Sequence, residues 1–146
     1  MFVQVLGSAS DVLQIPSLRI PLYLERVPAG FPSPAQDYIE KTLDLNELCI
    51  SHPAATFFVR VEGESMTGAG IFPNDILVVD RSLEAKHGDI VIASLDNEMT
   101  VKKLHLNTLP IVLMPCNPKY RPLIISEDVQ LEIFGVVTNV VRSLKR

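Results

Sequence analysis

Asp89-Ile90-Val91-Ile92-Ala93-Ser94-Leu95-Asp96-Asn97-Glu98-Met99-Thr100-Val101-Lys102-Lys103-Leu104 is the stretch from which the architecture is read. Two β-branched, apolar-rich runs flank Asp96-Asn97, a dipeptide that tolerates positive φ, and this pattern predicts a β-hairpin. Outward from it, residues 56–61, 76–79, 111–114 and 131–141 have the same Val, Ile and Phe character. Turn signals separate them at Phe72-Pro73-Asn74-Asp75, His87-Gly88-Asp89, Asn107 to Pro110 and Cys116-Asn117-Pro118. Helical patterns between the strands are missing, so a parallel α/β sheet is excluded. A mainly β, compact mixed or antiparallel fold remains.

Upstream the chain changes character. Residues 1–36 form an arm in which Ile15-Pro16, Ile20-Pro21, Val27-Pro28, Phe31-Pro32 and Ser33-Pro34 repeat proline every few residues. Proline fixes φ, removes a donor and extends its predecessor, so this arm is expected to be extended. Its apolar residues, Leu18, Ile20, Leu22, Tyr23, Leu24 and Val27, suggest that it docks in at least one state. Met1 to Leu13 carries no clear pattern. Residues 37–50 read as the one helical stretch, with Asp44 as N-cap, Glu47 as its capping-box partner, and Leu45, Leu48 and Cys49 on one face. Residues 37–146 then form the folded domain.

Composition narrows the function. A chain of 146 residues, 47% hydrophobic and 21% charged, buries a real core. Its net charge is −4, and basic residues gather only at Lys102-Lys103 and between Arg142 and Arg146. Direct DNA binding through phosphates is therefore disfavoured. Cys49 and Cys116 have no metal-site spacing and read as thiols in a reducing compartment. Neither a membrane span nor a secretory leader is visible, so the chain is expected to be cytoplasmic.

Val61-Glu62-Gly63-Glu64-Ser65-Met66-Thr67-Gly68-Ala69-Gly70-Ile71 follows one strand directly and presents a serine in a Gly-flanked turn. A hydroxyl placed this way becomes a nucleophile if a base reaches it and nearby amides receive the oxyanion. Most such turns are only turns. Thr67 also occupies the place of the second glycine of a hydrolase elbow. His52, His87 and His105 are candidate bases, but none has a carboxylate at an informative spacing. Lysine is the remaining candidate, because burial lowers its pKa toward the neutral, basic form. Alternation groups Lys102 with Thr100 and Leu104, and Lys103 with Met99 and Val101, without choosing between them. No metal pattern or phosphate loop is present, and no cofactor is expected.

Together these pieces closely resemble the UmuD-type proteins of SOS mutagenesis and, more distantly, the LexA-type self-cleaving repressors. The matching stretches are Phe31-Pro32-Ser33-Pro34-Ala35, Asp44-Leu45-Asn46, His52-Pro53-Ala54-Ala55-Thr56, Gly63-Glu64-Ser65-Met66 and His87-Gly88-Asp89-Ile90-Val91-Ile92-Ala93. Thr100-Val101-Lys102-Lys103-Leu104 and Phe134-Gly135-Val136-Val137 complete them, in the family's order. The resemblance implies a compact LexA/signal-peptidase-like β-fold with one short helix and an extended N-terminal arm. It implies a Ser-Lys dyad of Ser65 and Lys102, with the backbone amides of Ser65 and Met66 as the oxyanion hole. It places the scissile bond at Ala29-Gly30. UmuD-type proteins often have cysteine at the first of these positions and LexA-type repressors alanine, both small.

The implied partners are a second copy of the chain as a homodimer, a RecA filament on single-stranded DNA that stimulates cleavage, and a UmuC-like Y-family DNA polymerase. The competing reading is a purely binding accessory subunit with a vestigial peptidase site. A repressor is disfavoured by the lack of a helix-turn-helix pattern in the arm, and a signal peptidase by the lack of a membrane anchor.

Overall fold

A computed structural model describes residues 2–8, 18–23, 29–30 and 39–145. The expectations for Ile15-Pro16, Val27-Pro28, Phe31-Pro32 and Ser33-Pro34 fall outside these residues. The chain divides into two compact units, one formed by residues 1–13 and 52–146 and the other by residues 14–51.

The larger unit is an eight-stranded antiparallel sheet. Its strands are β1 (Phe2–Ser8), β4 (Thr56–Glu62), β5 (Ile76–Asp80), β6 (Ile90–Leu95), β7 (Glu98–His105), β8 (Val112–Met114), β9 (Leu123–Ile124) and β10 (Leu131–Val141). The order across the sheet is β1-β4-β5-β10-β6-β7-β8-β9, and the sheet curls so that β1 also approaches β7. Every strand run expected from sequence is present. The β6–β7 hairpin closes through Asp96 (φ 48°) and Asn97 (φ 70°), both left-handed, as a two-residue primed turn requires. β1 carried no sequence signal, yet it pairs with β4 from Phe2↔Glu62 to Ser8↔Phe57.

Curling gives the sheet two apolar clusters. Val59, Val61, Met66, Ile71, Leu77, Val79, Ile92 and Val101 form one, and Val91, Ala93, Leu104, Leu113 and Val136 the other. β7 contributes Val101 to the first and Leu104 to the second, so both of its faces are buried. On β10, Gly135 sits at a register shift against β6, and a Cβ there would lie 2.7 Å from Val79 Cγ1. Only glycine lets that crossing close.

The smaller unit contains β2 (Ile20–Tyr23), β3 (Ile39–Leu43) and α1 (Leu45–Cys49). β2 and β3 pair antiparallel, from Ile20↔Leu43 to Tyr23↔Ile39. This corrects the expectation of helix across 37–50. Residues 39–43 are strand, and only the five residues after Asp44 are helical. β3 is extended because β2 offers it an edge, a non-local partner that a local pattern does not reveal. Asp44 is the N-cap as expected, its carboxylate accepting from the Asn46 N–H at 2.9 Å. Glu47 instead meets Arg19 across the unit, at 2.8 Å. Leu45 and Leu48 are exposed.

Candidate functional site: Ser65 and Lys102

β4 runs out of the core at Glu62, and Gly63, at φ 91°, turns the chain into the serine loop. Met66, fully buried in the first cluster, anchors the loop from beneath. A 3₁₀ turn, Thr67–Ala69, follows, and Gly70 closes it in the left-handed region at φ 79°. A second segment straps the loop from outside. The Cys116 N–H donates to the Ser65 carbonyl at 2.8 Å, and the Gly68 N–H donates to the Cys116 carbonyl at 2.7 Å. The Asn117 amide adds a bond to the Glu64 carbonyl at 2.8 Å. Gly68 is required by this proximity and not by its φ, since a Cβ there would stand 2.4 Å from the Cys116 oxygen.

The loop's exit is also fixed. Asp75 accepts from the Phe72 N–H at 2.8 Å and receives a two-pronged bond from Arg142, at 2.6 Å on each oxygen. Arg142 reaches the Gly70 carbonyl as well, at 2.8 Å, and its guanidinium stacks on the Phe72 ring. The Arg142 hydrogen bonds hold the Asp75 carboxyl below the usual carboxylate range, outweighing its burial. The scaffold of Ser65 is therefore rigid at both ends.

Ser65 is fully buried, and Lys102 is 5% exposed. From β7, Lys102 Nζ lies 3.1 Å from Ser65 Oγ, 2.9 Å from Thr100 Oγ1 and 3.0 Å from the Val101 carbonyl oxygen. Burial pushes the Lys102 pKa down from its ordinary value, with a smaller opposing effect from nearby Cys116. A neutral amine has two N–H donors and one lone pair. In that neutral form Thr100 and Val101 would take the two donors, and the lone pair would face the Ser65 hydroxyl. The arrangement can take a proton from Ser65 as the oxygen becomes a nucleophile. Among the described residues, the Ser65 and Met66 N–H groups donate to no backbone carbonyl, whereas Thr67 N–H reaches Glu64 O. Lys103, the alternative on the same strand, is exposed.

The histidines are engaged elsewhere. His52 Nδ1 pairs with Asp80 at 2.6 Å, and Asp80 is also bonded by Ser82. Burial raises the Asp80 carboxyl, but the hydrogen bonds from Ser82 and His52 prevail and lower it. His87 Nδ1 accepts from the Leu106 N–H, and its ring packs edge-on against His105 at 4.7 Å. The side-chain partner of Ser65 among the described residues is Lys102. Ala29 and Gly30 lie in the smaller unit, on the connection between β2 and β3, and both are exposed. The strap through Cys116 and Asn117 was not foreseen, because Pro115-Cys116-Asn117-Pro118 reads only as a turn. No three metal-ligating side chains converge among the described residues, and no described helix is long and apolar enough to cross a membrane.

Residues 21–138 match the Peptidase S24-like family. The chain is 55% identical to Protein SamA of Salmonella typhimurium over 118 residues, 81% of each chain. It is 52% identical to Protein MucA of Escherichia coli over 121 residues, 82% of each. With the LexA repressor of an Azoarcus strain it shares 34% identity over 138 residues, 94% of this chain and 67% of the repressor. The chain belongs to the S24 family of peptidases.

Proposed function

We propose that the chain is a self-cleaving serine peptidase of the SOS response that cuts its own Ala29-Gly30 bond with a Ser65-Lys102 dyad. The observation that carries this reading is the buried 3.1 Å contact between Lys102 Nζ and Ser65 Oγ. Family membership supports it independently.

Neutral Lys102 takes the Ser65 proton as Oγ attacks the Ala29 carbonyl carbon. The Ser65 and Met66 amides receive the oxyanion. Collapse of the tetrahedral intermediate expels the Gly30 amine, which takes its proton from the Lys102 ammonium. Water then attacks the Ala29 ester under the same base and restores Ser65. The products are residues 1–29 and a chain beginning at Gly30. In this account residues 1–36 are the arm that holds the cleavage site, and residues 37–146 form the peptidase domain.

A RecA filament on single-stranded DNA stimulates the cut. The cleaved chain, as a homodimer in the cytoplasm, becomes the accessory subunit of a UmuC-like Y-family polymerase in translesion synthesis. These roles rest on the resemblance to UmuD-type proteins and on the similarity to Protein MucA and the LexA repressor. They are tested by incubating wild type and Ser65→Ala with RecA, single-stranded DNA and a nucleoside triphosphate, then adding the polymerase. The account expects RecA-dependent appearance of a Gly30 N-terminus in wild type only, and polymerase capture of that product. Equal cleavage with and without RecA would remove the regulatory part.

A further inference from the structure

Two peptide groups of the serine loop are oriented from the same outside segment. A trans peptide group is planar, with its C=O and its N–H on opposite sides. Fixing the oxygen of one residue therefore fixes the direction of the next residue's N–H. The Ser65 carbonyl accepts from the Cys116 N–H at 2.8 Å, which aims the Met66 N–H away from the strap. The Glu64 carbonyl accepts from Asn117 Nδ2, also at 2.8 Å, which aims the Ser65 N–H away in the same manner. Neither N–H donates to a backbone carbonyl among the described residues. Open N–H donors on one side of a turn are what a developing oxyanion needs.

The two groups are held by different means. Main chain pins the Ser65–Met66 peptide, and any residue except proline at position 116 would supply that N–H. A side chain pins the Glu64–Ser65 peptide. The other bond to the Glu64 oxygen, from the Thr67 N–H, is 3.4 Å long, beyond the usual range and too weak to hold a plane by itself.

Asn117 is itself locked. Asn117-Pro118-Lys119-Tyr120 forms a turn closed by the Tyr120 N–H on the Asn117 carbonyl at 3.1 Å, with asparagine and proline at the positions such turns favour. Asn117 Oδ1 accepts from the Lys119 N–H at 3.0 Å. The turn thus explains the oxygen of this side chain and asks nothing of its nitrogen. Nδ2 instead reaches Glu64, 53 positions earlier, and lies 3.3 Å from Thr67 Oγ1. A flip of the amide would set Oδ1 against the Glu64 oxygen, so one orientation is enforced.

We propose that Asn117 is a positioning residue for acyl transfer: by holding the Glu64 carbonyl it keeps the Ser65 N–H turned toward the oxyanion. It acts through that peptide group and touches neither Ser65 Oγ nor Lys102. This role belongs to the proposed Ser65–Lys102 peptidase and stands on that reading.

The test follows self-cleavage of the full-length chain across pH, at a temperature where thermal melts show every variant folded. Asn117→Asp keeps the oxygen that serves Lys119 and loses the donor to Glu64. Asn117→Leu has a similar shape and loses both. Deleting an oxyanion donor outright costs about 10²–10³ in rate, so misaligning one should slow both variants by roughly 10- to 100-fold. In Asn117→Leu, which adds no charge, the loss should be the same at every pH, because Lys102 still faces Ser65. A slow Asn117→Leu beside a wild-type rate in Asn117→Asp would show that the turn matters and the donor does not, and would overturn the proposal. Wild-type rates in both variants would overturn it too. So would a loss in Asn117→Leu that comes with a shifted pH midpoint, since the dyad itself would then have moved. In each of these cases wild type still cleaves and the peptidase reading stands. A wild type inert at every pH, with and without RecA filaments, would overturn that reading and this inference with it.

Discussion

Lys102 Nζ stands 3.1 Å from Ser65 Oγ although the two are 37 positions apart in sequence. β7 presents the lysine and the loop after β4 presents the serine, so the contact exists only in the folded sheet. Its chemistry depends on where the lysine's proton resides.

Burial lowers the Lys102 pKa below 10.5, so between the folded and unfolded values the unfolded chain binds more protons. The burden on stability is fully present below the folded pKa and disappears as pH rises toward the unfolded one. Lys102→Met should therefore melt above wild type at neutral pH, with the gap closing at alkaline pH. The expected gain is about 1.4 kcal/mol for each pKa unit by which burial lowers the group. Thermal melts across pH check this, and a gap independent of pH would contradict it.

Gly68 and Gly70 lie two residues apart but should fail differently. Gly68→Ala drives a Cβ into the Cys116 carbonyl and should displace the serine loop, costing about 1–3 kcal/mol and most of the cleavage activity. Gly70→Ala meets open space and faces only a left-handed backbone. It should cost about 1 kcal/mol and leave the Ser65–Lys102 contact in place. Denaturant melts beside cleavage rates separate the two.

Arg142 should govern acid stability. It is the largest cause of the lowered Asp75 pKa, so the stabilisation from ionised Asp75 is present above 3.8 and lost as pH falls through the folded value. Arg142→Ala leaves a buried carboxyl whose desolvation then raises its pKa. The midpoint of acid unfolding, followed by circular dichroism, should move to higher pH. An unchanged midpoint would show that the clamp does not couple to folding.

Several features were legible because the signal was local. Asp96-Asn97 marked the hairpin, and Val/Ile runs marked the strands around it. Lys102 and Lys103 could not be told apart by alternation, because β7 is buried on both faces and the usual inside-outside contrast is lost. β1 and β3 were missed for a common reason, since each is extended only through pairing with a distant strand. His52 shows no carboxylate at an informative spacing in sequence, because its bond to Asp80 spans 28 positions. The Cys116 strap acts through backbone groups, which no side-chain pattern announces.

The most direct test of the central claim is the pH–rate profile of self-cleavage without any partner, read by intact mass. The account predicts a single cut that yields a chain beginning at Gly30. Its rate should rise with pH about tenfold per unit while Lys102 loses its proton, and level off below the ordinary lysine pKa. Ser65→Ala and Lys102→Ala should both be inert across the range. Cleavage that persists in Lys102→Ala, or no cleavage of wild type at any pH and none on adding RecA filaments, would contradict it.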